Sequence, residues 1–315
     1  MTDAFGRVID YLRLSVTERC DLNCLYCGPG ARCESGPAAC CAAGELVSMA
    51  AACVALGVKK IRLTGGEPLL RRDILELIAA LRALPGLEEL SMTTNGQRLP
   101  ELAAPLRAAG LDRLNVSLDS LRPGRYRALT RGGSPERVLK GLAAAEAAGF
   151  RDLRLNVVLL RGFNDDELAE LAGLAREHPW SVRFIELMPI GAGAELDAFL
   201  PAEQVLRALP ELRAWGQADA ASVARLYSAP GWAGTVGLIA PVSRPFCAGC
   251  NRLRITADGR LKPCLHAPEE YSLRGLSGEA LRAAILAAVA QKPARHRLAE
   301  LGHSESARPM QRIGG

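Results

Sequence analysis

Six cysteines fall into two groups of three. The first is Cys20-Asp21-Leu22-Asn23-Cys24-Leu25-Tyr26-Cys27, spaced C-x3-C-x2-C; the second is Cys247, Cys250 and Cys264, spaced C-x2-C-x13-C. Three thiolates on a short loop can face one centre. Thiolates hold iron–sulfur clusters through iron, or zinc directly. A cube of four irons held by three cysteines keeps one iron open, and an open iron can bind a small molecule. For the first group the rival is a zinc knuckle with a remote fourth ligand. For the second, zinc is an equal alternative, because His266 in Cys264-Leu265-His266 could complete a Cys3His set.

The elements that must carry these groups alternate in type. Strand-like runs cover Tyr11–Val16, Lys59–Thr64, Glu89–Thr94, Arg113–Leu118, Leu153–Leu159 and Val182–Met188. Helix-like stretches lie between them at Leu46–Leu56, Asp73–Leu84, Leu102–Ala109, Pro135–Ala148 and Asp165–Arg176. This rhythm predicts a parallel sheet. Six units are enough for a partial barrel and too few for a closed eightfold one. Successive side chains on a strand point to opposite faces. One face reads Leu12, Leu14, Ile61, Leu63 and so on. The other reads Arg13 and Ser15, Arg62 and Thr64, Ser91 and Thr93, Asn115, Ser117 and Asp119, Arg154 and Asn156. A polar face repeated on strand after strand predicts a wet interior. Arginines facing a common cavity repel one another unless an anion fills it, so a polyanion such as a triphosphate is expected there.

Other segments sit where a barrel ligand would meet them. Thr64-Gly65-Gly66-Glu67-Pro68 follows the second strand; the glycines allow close backbone approach, and Glu67 can accept bonds from an amine. Arg252 and Arg254 share a parity on a further strand, and Asp258-Gly259 reads as a hairpin turn. Residues 190–243 are less periodic and read as an extension packed on the barrel, so the expected domains are 1–190 and 191–315. The tail ends Gly314-Gly315, thin enough to thread into a cavity.

Composition bounds the function. The chain has 315 residues, of which 49% are hydrophobic and only 4% aromatic, so the core must be aliphatic. Met1–Asp10 is polar and short, with no signal-peptide pattern, and no membrane-length apolar run follows. The chain is expected to be cytoplasmic, where cysteines read as metal ligands rather than disulfides. A net charge of +5 without a dense Lys/Arg block argues against nucleic acid.

The C-x3-C-x2-C loop with Tyr26 before its last cysteine resembles the signature of the radical S-adenosylmethionine (SAM) enzymes. Together with the second triad, Gly-Gly-Glu-Pro and the terminal Gly-Gly, it resembles the family of GTP 3′,8-cyclases of molybdenum cofactor biosynthesis, over nearly the whole chain. The resemblance implies a partial (β/α)6 TIM-like barrel of the radical SAM type, with a C-terminal extension carrying a second cluster. It implies two 4Fe–4S clusters and SAM as cofactors: Cys20, Cys24 and Cys27 on the SAM-cleaving cluster, and Cys247, Cys250 and Cys264 on a substrate cluster. SAM contacts would be Tyr26, Gly66, Glu67, Ser117 and Met188. GTP contacts would be Arg13, Arg62, Thr93, Arg154, Arg252, Leu253 and Arg254. Arg252, Arg254, Gly314 and Gly315 would support catalysis. The product would pass to a cyclic pyranopterin monophosphate synthase of the MoaC type. The electron donor and the oligomeric state stay open, a homodimer being one option. The chain departs from the family at Gly28-Pro29-Gly30, where Met-Pro is usual, and 31–44 adds Cys33, Cys40 and Cys41, expected as free thiols. The rivals are a peptide-modifying radical SAM enzyme and a zinc-stabilised nucleic-acid-binding protein.

Overall fold

The computed structural model describes residues 1–28, 40–216 and 222–314. Gly315, Cys33 and most of the Gly28-Pro29-Gly30 departure therefore lie outside the described residues. Six parallel strands form the centre: β1 (Tyr11–Ser15), β2 (Lys60–Thr64), β3 (Glu89–Thr94), β4 (Arg113–Ser117), β5 (Leu153–Leu159) and β6 (Ser181–Glu186). Between them run α1 (Ala43–Ala55), α2 (Ile74–Arg82), α3 (Leu99–Ala108), α4 (Pro123–Thr130), α5 (Pro135–Ala147) and α6 (Leu168–Glu177). Helix α5 shows how its start is encoded. Pro135 sits at the first position, where no amide bond is needed, and the Ser134 hydroxyl accepts from the Arg137 amide at 3.2 Å. The apolar strand face is fully buried against these helices: Leu12, Leu14, Ile61, Leu63, Leu90, Leu114, Val116, Leu155 and Phe184 have no exposed surface.

The C-terminal part is woven into the same sheet rather than laid upon it. It contributes α7 (Gln204–Ala208), β7 (Arg213–Ala214), β8 (Arg225–Ser228), β9 (Thr235–Ile239), β10 (Arg252–Ile255), β11 (Arg260–Lys262), β12 (Tyr271–Ser272), α8 (Gly278–Ala290), α9 (Leu298–Leu301) and α10 (Met310–Ile313). Strand β9 pairs parallel with β6, and β10 pairs parallel with β1, so the extension lengthens both edges of the six-stranded centre. Buried Glu186 staples it down, accepting from the amides of Ala202 (3.1 Å), Val242 (3.1 Å) and Ser243 (2.9 Å). The sheet curls into a partial barrel. Burial first, and then Arg62 on β2, weaken the proton affinity of Arg183 on β6.

Candidate active site

Parallel register puts the polar residues in rows. Arg254, Arg13, Arg62, Ser91 and Arg113 lie side by side across β10, β1, β2, β3 and β4. Thr93, Asn115, Arg154 and Ser181 form the neighbouring row, and Asn156 is in register with Arg183. The inward face is thus as expected from strand parity, with two more guanidiniums, Arg113 and Arg183. Their signal was present in the sequence, because each shares the polar parity of its strand. Burial first, and then the neighbouring guanidiniums Arg254 and Arg62, hold the Arg13 pKa well below its ordinary value. Burial and the neighbouring Arg252 bring Arg254 down to about 10; burial, Arg62 and Arg113 bring Arg183 to about 10. Buried cations that crowd one another favour an anion among them. Buried atoms without a hydrogen-bond partner point the same way: Tyr11 Oη, Thr64 Oγ1, Thr93 Oγ1, Arg113 Nη1 and Asn115 Oδ1 are all on the inward face.

Two residues expected at the substrate stand apart from the others. The Leu253 side chain has no exposed surface, lies in the hydrophobic core and shares the helix-facing parity of Leu12. Arg154 is inward but is held by Asp152 (Nε–Oδ1 3.0 Å, Nη2–Oδ2 2.6 Å).

The first cysteine loop leaves the carboxyl end of β1 and is fixed on three sides. The Asn23 and Leu25 amides donate to the Thr130 and Leu129 carbonyls at the end of α4, a helix the sequence reading did not anticipate. Asn95 Nδ2 donates to Asp21 Oδ1 at 2.7 Å. The Tyr26 hydroxyl donates to Asp119 Oδ2 at 2.6 Å. Asp119 is buried, which raises its pKa to about 6 despite the bonds from Tyr26 and the Val158 amide. Burial pushes the Cys20 thiol up to about 12, Cys27 to about 11 and Cys24 well above the ordinary thiol value, so a metal bound here must displace protons.

The glycine pair serves this loop. The Gly66 amide donates to the Thr17 carbonyl (2.8 Å) and the Glu67 amide to the Arg19 carbonyl (2.7 Å). A Cβ on Gly66 would lie 2.2 Å from the Arg19 carbonyl oxygen, and one on Gly65, whose φ is +148°, 2.4 Å from that of Thr17. The glycines therefore let the β2 turn touch the backbone leading into Cys20. Glu67 is buried, its pKa raised to about 7 by that burial, and it accepts from Thr94 Oγ1 (2.7 Å) and the Asn95 (2.7 Å) and Leu69 (3.0 Å) amides. It braces β2 to β3 under the loop. Gly66→Ala is expected to cost about 1–3 kcal/mol or more through overpacking. Thermal denaturation together with iron content per chain checks this, and an unaltered melting point and iron load would refute it.

Ser117 ends β4, and Met188 follows β6. Gly193 packs where a Cβ would stand 2.6 Å from the Met188 carbonyl oxygen and 3.2 Å from that of Tyr26, so the β1 and β6 loops meet. The second triad lies at the opposite end of the strands. Cys247 and Cys250 precede β10, whose first residue pairs with the first residue of β1, and Cys264 follows antiparallel β11. Strand β1 spans about 17 Å at the usual rise, so the arginine rows stand between the triads. Burial raises the Cys247 thiol pKa; Cys250 goes down, because Lys292 and Arg252 outweigh its burial. The His266 ring packs on His296 with centroids 4.5 Å apart, and its Nδ1 meets Ser304 Oγ at 3.3 Å. Gly314 enters the interior, its carbonyl accepting from Arg254 Nη1 (2.8 Å) and Arg13 Nε (3.3 Å). Arg308 anchors that tail through Asp258 (Nη2–Oδ2 2.7 Å) and Glu270 (Nε–Oε1 2.7 Å).

Comparison with known proteins fits this layout. Residues 14–175 match the Radical SAM superfamily, and 180–298 match the family model named Molybdenum Cofactor Synthesis C. A GTP 3′,8-cyclase of Peptoclostridium acidaminophilum is 44% identical, covering 100% of this chain and 98% of that protein. The chain belongs to the GTP 3′,8-cyclase family. A second family member, from Moorella thermoacetica, is 45% identical over the full length of both proteins. Crystal structures of Streptococcus suis SuiB share the fold: one superposes with a TM-score of 0.65 at 16% identity, covering 93% of this chain and 68% of that one, and another, bound to S-adenosylmethionine, with 0.59. Family membership weighs against the peptide-modifying and nucleic-acid-binding alternatives. Among the described residues no cysteine forms a disulfide, and no helix is long and apolar enough to cross a membrane.

Proposed function

We propose that the chain closes GTP to (8S)-3′,8-cyclo-7,8-dihydroguanosine 5′-triphosphate, the first step of molybdenum cofactor biosynthesis. One observation carries the reading: a set of crowded, buried guanidiniums faces an interior flanked by two three-thiol sites. Cys20, Cys24 and Cys27 would hold the SAM-binding 4Fe–4S cluster, and Cys247, Cys250 and Cys264 a second one. The donor sets suit this chemistry. Each triad offers three thiolates, and a cube offers each thiolate its own iron. When bound, the first cluster and SAM would supply homolytic removal of the C3′ hydrogen of GTP; C3′ would then bond to C8 of the guanine, and one electron from the reductant with one proton would complete the 7,8-dihydro product.

The chain's own residues bind and orient. Tyr26, Gly66, Ser117 and Met188 border the first triad and would contact SAM; Glu67 would do so at most through the lone pairs its three donors leave. Arg13, Arg62, Arg252 and Arg254 would hold the triphosphate, with Thr93 and Asn115 offering orphaned polar atoms to the nucleoside. Gly314, between Arg13 and Arg254, would contact the substrate from the tail. The product would pass to a cyclic pyranopterin monophosphate synthase of the MoaC type. Arg62→Ala removes one charged donor, worth about 1.5–3 kcal/mol. GTP binding is expected to weaken about 10–100-fold while SAM binding stays within a few fold, as read by equilibrium dialysis of each. Equal loss of both would contradict the assignment.

A further inference from the structure

The second triad is assembled from two separate segments, and one buried cation joins them. Cys250 lies on the approach to β10; Cys264 comes after the β10–β11 hairpin. Lys292, just beyond α8, is 3% exposed. Its Nζ donates to the Arg252 carbonyl at 2.8 Å, two residues past Cys250, and to the Pro263 carbonyl at 2.5 Å, the residue before Cys264. Both bonds thus go to the backbone that carries the triad, and the Lys292 charge is close enough to Cys250 to lower its thiol pKa against the effect of burial. Two other cations nearby are balanced by carboxylates: Arg7, which ties the Cys247 carbonyl (2.8 Å) to that of Ala294 (3.0 Å), is paired with Asp3 at 2.6 Å, and Lys262 with Glu270 at 3.3 Å. The bonds of Lys292 go instead to two carbonyls. A buried charge is costly unless opposite charge compensates it, and the cysteinyl sulfurs are placed to do so.

We propose that Lys292 is a positioning residue for the second triad, and that its charge raises the reduction potential of the cluster held there. This rests on the reading that Cys247, Cys250 and Cys264 bind a 4Fe–4S cluster. Hydrogen bonds and charge at the sulfurs are recognised determinants of cluster potential. An ammonium beside them favours the reduced, more negative state.

The test uses the full-length chain carrying Cys20→Ser, Cys24→Ser and Cys27→Ser, so that only the second triad can load. This parent, Lys292→Met and Lys292→Arg are reconstituted anaerobically with iron and sulfide, and each is titrated by electron paramagnetic resonance against potential. Iron retention under a chelator is followed in parallel. Lys292→Met is expected to lose iron faster and to shift the one-electron equilibrium at least tenfold toward the oxidised form, about 59 mV lower in potential. Lys292→Arg keeps the charge and should stay closer to the parent in potential. If Lys292→Met does not fold, Lys292→Gln takes its place, since it also lacks the charge. A loaded parent with charge-removing variants that match it in potential and iron retention overturns the role of Lys292 alone. A parent that takes up no iron overturns the second-cluster reading, and this proposal with it.

Discussion

Cys24→Ser is expected to reduce SAM cleavage below detection and to halve the bound iron, from about eight to about four per chain. Cys24 is the middle cysteine of its triad, with Cys20 and Cys27 on either side in one short loop. That loop is held by the end of α4, by Asn95 and by the Tyr26–Asp119 bond, so it cannot slide another sulfur into place. A serine hydroxyl is a harder and far less acidic ligand than a thiolate. Anaerobic incubation of the reconstituted variant with SAM and a reductant, with 5′-deoxyadenosine measured by chromatography, checks the prediction. Cleavage at more than a few per cent of the parent rate would remove Cys24 from the ligand set.

Cys250→Ser should behave differently. Iron again falls to about four per chain, yet uncoupled SAM cleavage persists, because the two triads lie at opposite ends of β1 and share no ligand. Cyclisation of GTP should be lost, at least a hundredfold below the parent. The physical reason is position: the second triad closes the end of the interior where Arg252 and Arg254 begin, and a nucleotide held by those arginines places one end against it. The paired assay of 5′-deoxyadenosine and cyclised nucleotide separates the outcomes. Persistent cyclisation would deny the second triad its role with the substrate.

Much of this site is visible in the sequence because strand parity and cysteine spacing are local signals. The alternation Leu12-Arg13-Leu14-Ser15 fixes which way Arg13 points once β1 is a parallel strand with helices on one side. The same rule assigns Leu253 to the core, although it stands between two arginines of the interior. What could not be read locally is pairing between distant segments. Strands β9 and β10 are five and four residues long, and neither announces that it will extend the edges at β6 and β1. Gly65 and Gly66 carry the mark of close approach, but only the fold shows that the approaching partner is the backbone of Thr17 and Arg19. Lys292 belongs to the same class: nothing around it in the chain points to Cys250.

The most direct measurement is product analysis after anaerobic incubation of the reconstituted full chain with GTP, SAM and a reductant. The account predicts (8S)-3′,8-cyclo-7,8-dihydroguanosine 5′-triphosphate, formed together with 5′-deoxyadenosine and dependent on both cysteine triads. Abundant 5′-deoxyadenosine from a fully iron-loaded chain, with GTP recovered unchanged, would contradict it.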